Sequence, residues 1–103
     1  MDANRIFDAL ASSARRQVLR DLAQAERTTS ELALRLGVST PAASRHLSVL
    51  EHAGLVTSRR HGQRVLYSLV RDTLMEALAG FAAELAMAPR PEPGRARKPR
   101  EAI

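Results

Sequence analysis

The stretch "TTSELALRLGVSTPAASRHLSVLEHAG", Thr28 to Gly54, holds two helix starts and two helix stops in one short run. Thr28-Thr29-Ser30-Glu31 has the form of a capping box, in which a hydroxyl and a carboxylate each accept a backbone N–H left free at a helix start. The helix it opens ends at Leu36, because Gly37 suits the left-handed conformation that closes a helix. Ser39 then caps a second helix. Pro41 falls in its first turn, where a missing N–H costs little, and Gly54 marks its end. Two short helices on a tight Gly37-Val38-Ser39 connection have the sequence form of a helix-turn-helix. A plain αα-corner without a ligand has the same form.

The second helix of the pair carries more information. At about 100° per residue, Ala42, Ala43, His46, Leu47, Val49, Leu50 and Ala53 fall in one arc that packs on a core. Thr40, Pro41, Ser44, Arg45, Ser48, Glu51 and His52 fill the opposite arc. Toward the helix start this polar face is short-chained and free of acid. Short side chains allow close approach to a groove, hydroxyls can donate or accept, and Arg45 can make a two-pronged contact to guanine. A face built for solubility alone would carry Glu and Lys in i,i+4 pairs.

Downstream the period changes from helical to alternating. Leu55–Arg60 and Gln63–Leu69 read as two strands around a His61-Gly62 turn. That turn pairs Val56 with Tyr67 and Ser58 with Val65. Val56, Val65, Tyr67 and Leu69 then face inward, and Thr57, Arg59, Arg64 and Leu66 outward. Arg59 falls opposite Arg64, an unfavourable pairing of like charges that a polyanion lying between them would relieve. Arg59, Arg60 and Arg64, with His61 at the tip, make the hairpin a basic element. A solvated edge hairpin of mixed sign is the bland alternative.

Upstream, Asn4–Leu10 forms a short helix with Ile6, Phe7 and Leu10 on one side. Ser12 or Ser13 caps a second, from Ala14 to about Ala25, with Val18, Leu19 and Leu22 inward and Arg15, Arg16 and Arg20 mostly outward. Asp72 caps a last helix over Thr73–Ala88, where Leu74, Leu78, Phe81 and Leu85 form a stripe. Residues 1–88 make one domain of the 103-residue chain. The Pro- and Arg-rich stretch 89–103 reads as a disordered basic tail.

Aromatic residues make up only 3% of the chain, so the core is aliphatic, which suits helices. The net charge of +5 points to polyanionic partners, with double-stranded DNA first. In the second half of the domain Arg35, Arg45, Arg59, Arg60 and Arg64 have only Glu51 as a neighbouring counter-charge. The most apolar run, Leu74 to Ala88, is interrupted by Glu76 and Glu84 and is shorter than the ~20 residues of a membrane span. With no apolar leader at the N-terminus, a cytoplasmic protein without a membrane partner is expected.

"FDALASSARRQVLRDLA", "TTSELALRLGVSTPAASRHLSVLEHAGLV" and "SRRHGQRVLYSL" together resemble the ArsR family of bacterial winged-helix repressors, in order and without large gaps from about Ile6 to Leu69. The resemblance implies a mainly α winged helix-turn-helix, α-α-α-α-β-β-α. It implies a homodimer through the first and last helices, with Ile6, Phe7, Leu10, Leu74, Leu78, Phe81 and Leu85 at the interface. It implies a near-palindromic operator. The DNA-binding residues would be Thr40, Pro41, Ser44, Arg45, His46 and Ser48 on the reading helix and Arg59, Arg60, His61 and Arg64 on the wing.

Many members of that family release DNA on binding a metal. With no cysteine in the sequence, thiolate sites for arsenic, cadmium or mercury are chemically impossible in it. Asp72, Glu76 and Glu84 stand on the last helix, but Thr73–Ala88 has no histidine, and carboxylates alone make a poor zinc or nickel site. The reading is therefore a sequence-specific, metal-independent regulator without a cofactor, most simply a repressor, binding DNA and itself. The alternatives are a protein-interaction winged helix and a regulator with a non-cysteine metal site. No arrangement of nucleophile, histidine and acid suggests an enzyme. In the tail, Arg95, Arg97, Lys98 and Arg100 either add non-specific DNA affinity or form a solvated extension.

Overall fold

The structure, a computed structural model, describes residues 2–91. The expected disorder of the tail, and a DNA role for Arg95, Arg97, Lys98 and Arg100, fall outside the described residues. Two helices open the fold: α1 (Ala3–Leu10) and α2 (Ser13–Gln24). Asp2 accepts the Asn4 N–H at 2.9 Å and Ser12 accepts the Arg15 N–H at 3.2 Å, so each has a side-chain N-cap. The arginines of α2 do not simply face water. Arg15 Nε donates to the Ala9 carbonyl and Arg16 Nη1 to the Leu10 carbonyl, each at 2.8 Å. They satisfy the carbonyls left free at the end of α1 and fasten the two helices together.

A two-residue strand, β1 (Arg27–Thr28), follows and leads into α3 (Thr29–Leu36). The capping box is formed as expected: Thr28 Oγ1 accepts the Glu31 N–H at 3.1 Å, and Glu31 Oε1 accepts the Thr28 N–H at 2.8 Å. Gly37, at φ 71°, closes α3. Ser39 opens α4 (Thr40–His52) by accepting the Ala42 N–H at 3.2 Å, with Pro41 in the first turn. β2 (Val56–His61), β3 (Arg64–Leu69) and α5 (Arg71–Met87) complete the chain.

The three strands form one antiparallel sheet in the order β1-β3-β2. β1 is an addition to the expected elements, because two residues are too few to show alternation. The hairpin register also differs from expectation. Val56 pairs with Leu69, Ser58 with Tyr67, Arg59 with Leu66 and His61 with Arg64. The turn residues are Gly62 and Gln63 rather than His61 and Gly62. Two-residue hairpin turns of the primed types need a positive φ at their first central residue, and Gly62 supplies it at 67°. The two-residue shift preserves the faces but changes the partners, so Arg59 and Arg64 are not opposed. Val65 keeps its inward parity yet lies beyond the core and is exposed.

The core is aliphatic. Val18 of α2, Leu32 of α3, Leu47 and Leu50 of α4 and Leu55 at the entry to β2 are fully buried, with Ile6, Ala9, Leu19, Leu22, Ala53 and Val56 around them. Two local expectations fail. Val49 is 40% exposed, at the edge of the apolar arc of α4 rather than inside it. Asp72 does not cap α5: the helix begins at Arg71, its N-cap is Val70, and Asp72 sits in the first turn, where its charge favours the helix dipole. Gly37 has open space where a Cβ would stand. Gly37→Ala therefore meets only backbone strain, an expected loss of about 1–2 kcal/mol in urea unfolding, with Gly37→Asn costing less because asparagine tolerates the left-handed region.

Candidate nucleic-acid interface

The core fixes which side of α4 faces outward. With Ala43, Leu47 and Leu50 buried, Thr40, Pro41, Ser44, Arg45 and Ser48 are exposed on the opposite side. The one acid of α4, Glu51, is drawn aside: its Oε2 accepts the Ser58 hydroxyl of β2 at 3.3 Å. His52 Nδ1 lies 2.8 Å from the Ser48 carbonyl, within its own helix. The N-terminal two-thirds of the exposed face thus keeps hydroxyls, one guanidinium and no carboxylate.

His46 occupies a boundary position. It is half-buried, and burial first, then repulsion from Arg15 and Arg45, holds its imidazole below the ordinary value of 6.5. At neutral pH it is an uncharged hydrogen-bonding group rather than a cation.

The hairpin brings basic residues beside this face, and the structure revises how free they are. Arg59 Nη2 lies 2.7 Å from Glu26 Oε1, and the Ser68 hydroxyl donates to Glu26 Oε2 at 2.7 Å. Arg64 Nη2 lies 3.6 Å from Glu31 Oε2. Arg35 Nη2 reaches the buried Asp21 at 3.3 Å. Glu51 is therefore not the counter-charge of this group: three of the five arginines have partners supplied from α2, α3 and the segment between them. Among the described residues, Arg45 and Arg60 are in no ion pair. The hydrogen bond from Arg59 holds the Glu26 carboxyl below the usual 4.5, with Ser68 assisting. For Glu31 the main cause is the Thr28 backbone N–H.

Glu26 and Ser68 are partners of the basic hairpin that sequence reasoning missed. The signal was present but hidden. Arg27 pairs with Tyr67 across β1 and β3, which sets Glu26 opposite Ser68 one step further on, and only recognition of β1 would have revealed it. Glu31 was legible as a cap, but not as a partner of the hairpin.

The dimer stripe is also reapportioned. Ile6 is 2% exposed, inside the chain's own core, and Leu74 is half-buried against that core. Leu78, Phe81 and Leu85 are 41%, 49% and 63% exposed, and α5 contains no buried residue at all. Phe7 and Phe81 meet edge to face with ring centroids 5.5 Å apart, joining α1 to α5. Among the described residues no three potential metal-binding side chains of the His, Cys, Asp and Glu types come together, and no helix is long and apolar enough to cross a membrane.

The chain matches the model of the bacterial regulatory protein arsR family over residues 12–58, from the cap of α2 into β2. It is 31% identical over 75 residues to the transcriptional repressor SdpR of Bacillus subtilis, an alignment covering 73% of this chain and 83% of that protein. It is 40% identical over 77 residues to a probable mercury resistance operon repressor of Streptomyces lividans, covering 71% of this chain and 62% of that longer one. The solution structure of a homodimeric winged helix-turn-helix DNA-binding domain from Mycobacterium bovis, a possible ArsR-family transcriptional regulator, superimposes with a TM-score of 0.67. It is 33% identical and covers 86% of this chain and 84% of that one.

The depressed basicity of His46 has a measurable consequence. The unfolded imidazole takes up its proton near pH 6.5, whereas the folded one resists until lower pH. This contribution to stability is complete above pH 6.5 and is lost as the pH falls below it. Thermal melts at about pH 7.5 and about pH 5.5 should show a drop that His46→Gln reduces. The corresponding losses from Glu26 and Glu31 begin only below their ordinary 4.5, so the two windows separate.

Proposed function

The chain belongs to the arsR family of bacterial regulatory proteins, and from that premise we propose that it is a DNA-binding transcriptional regulator, acting as a homodimeric repressor on a near-palindromic operator. It is a regulator and not an enzyme. The observation that carries the DNA-binding reading is the exposed N-terminal face of α4. Thr40, Ser44, Arg45 and Ser48 stand clear of any carboxylate, on a helix whose other side is locked into the core.

On this reading α4 lies in the major groove. Arg45 reads a base edge, and the hydroxyls of Thr40, Ser44 and Ser48 bond to bases or phosphates. Pro41 lets the first turn approach closely, and His46 contributes a neutral hydrogen bond at the margin. The hairpin carrying Arg59, Arg60, His61 and Arg64 grips the flanking phosphates or the minor groove. The bound protein is thus cytoplasmic and associated with the nucleoid.

The homodimer is supported by α5. A 17-residue helix with no buried residue, and with Leu78, Phe81 and Leu85 open, leaves an apolar stripe that needs a partner. A second copy, joined through Phe7 and Leu10 of α1 and the stripe of α5, covers both. Two-fold symmetry then sets the reading helices roughly 34–36 Å apart, one turn of the duplex. Metal independence rests on chemistry: the 103 residues supply no thiolate, so regulation of the mercury-responsive kind through cysteines is not open to them.

Selection of duplexes from random sequence with the purified protein tests the reading directly. A recovered palindromic site supports it, and absence of salt-dependent DNA binding would point instead to a protein-interaction module. On the selected site, Arg45→Ala should cost about 1–3 kcal/mol and relax preference at one position of each half-site. Leu85→Glu leaves the monomer core untouched. It should shift the protein toward monomer in sedimentation and weaken operator binding, while Arg45→Ala leaves the assembly state unchanged.

A further inference from the structure

The outer face of the small sheet carries a charge arrangement that ties three strands together. Glu26 lies just before β1, yet it spans the sheet. One carboxylate oxygen takes the hydroxyl of Ser68 on β3, and the other takes Arg59 on β2, both at 2.7 Å. The two partners are 33 and 42 residues away in the chain. Though exposed, this glutamate closes a bridge over three strands. One layer on, Glu31 repeats the arrangement more loosely, with Arg64 at 3.6 Å. Arg60 has the opposite parity on β2, on the face it shares with Ser58, and is exposed opposite Val65, its cross-strand neighbour; among the described residues it is in no ion pair.

A guanidinium already paired with a carboxylate gains little from a phosphate, because the phosphate must first displace the carboxylate. We propose that Glu26 is a positioning residue that stands in for phosphate: it holds Arg59 back on the sheet, leaves Arg60 as the wing's principal phosphate contact, and so limits non-specific affinity for DNA. The inference rests on the DNA-binding reading. In this arrangement the wing is less basic toward the duplex than its sequence implies. Sequence-independent attraction scales with the number of phosphates neutralised, so restraining one arginine lowers the background without touching the base-reading face of α4. Exposed pairs are weak, and the hold is therefore partial.

The test is binding of the full chain to a mixed-sequence duplex over a salt series, with wild type, Glu26→Gln, Glu26→Ala, Arg59→Gln, Arg60→Gln and the Glu26→Gln/Arg59→Gln double variant. Near-wild-type thermal transitions establish that each is folded. Arg60→Gln should flatten the salt dependence by about one phosphate's worth, a slope change of about 0.9, and Arg59→Gln should change it little. Both Glu26 variants should bind about two- to fivefold more tightly, and that gain should vanish in the double variant. A gain that persists without Arg59 would mean plain repulsion of DNA by Glu26, and overturns the proposal. So does an Arg59→Gln loss equal to that of Arg60→Gln. If the wild type itself shows no salt-dependent binding, the DNA-binding reading fails and the inference goes with it.

Discussion

The direction of α4 depends on the turn at Gly37. The α3 helix must stop there, and a left-handed residue lets the chain reverse while its N–H groups still find the carbonyls of the last turn. The Gly37 N–H donates to Leu34 at 3.2 Å and the Val38 N–H to Ala33 at 3.0 Å. Ser39 then caps the next helix within two residues. With both ends satisfied, the angle between α3 and α4 is held by backbone hydrogen bonds as well as by Leu32, Leu47 and Leu50 in the core. Everything outward on α4, including Arg45, takes its direction from this turn.

A second constraint is the use of arginine inside the fold. The chain is basic, but much of its charge is occupied. Arg15 and Arg16 close the end of α1, and Arg71 donates to the Ala23 carbonyl at 2.9 Å near the end of α2. Arg35 neutralises Asp21, which is 3% exposed and also accepts from Gln17. Removing that partner would leave a buried charge, a costly outcome, so Arg35 belongs to the frame that joins α2 to α3. Of the five arginines in the second half of the domain, Arg45 and Arg60 are the two in no ion pair among the described residues.

Much of this architecture is legible in the amino-acid sequence. The caps at Thr28/Glu31 and Ser39 and the stop at Gly37 follow from local rules, since each involves residues within four positions of one another; the cap of α2 is narrowed to Ser12 or Ser13 in the same way, and the outward face of α4 follows from its helical period. The aliphatic core follows from the lack of aromatics. The departures are of a different kind. The hairpin register hinges on which residues occupy the two central positions of its turn, and the positive φ of Gly62 places that residue first. β1 is too short to have a period. Val49 and Asp72 lie at the margins of arcs and helix ends, where one residue decides the outcome.

What the sequence determined by itself was the order of the main elements, the helix-turn-helix and the amphipathic faces, because hydrophobic period and capping chemistry act over short spans of chain. Tertiary structure alone decided which arginines are free. Glu26 meets Arg59 and Ser68, and Arg35 meets Asp21, across 14 to 42 residues of chain. No local pattern records such meetings. They exist because a three-stranded sheet and a packed helix pair bring carboxylates within hydrogen-bonding distance of arginines far away in the chain.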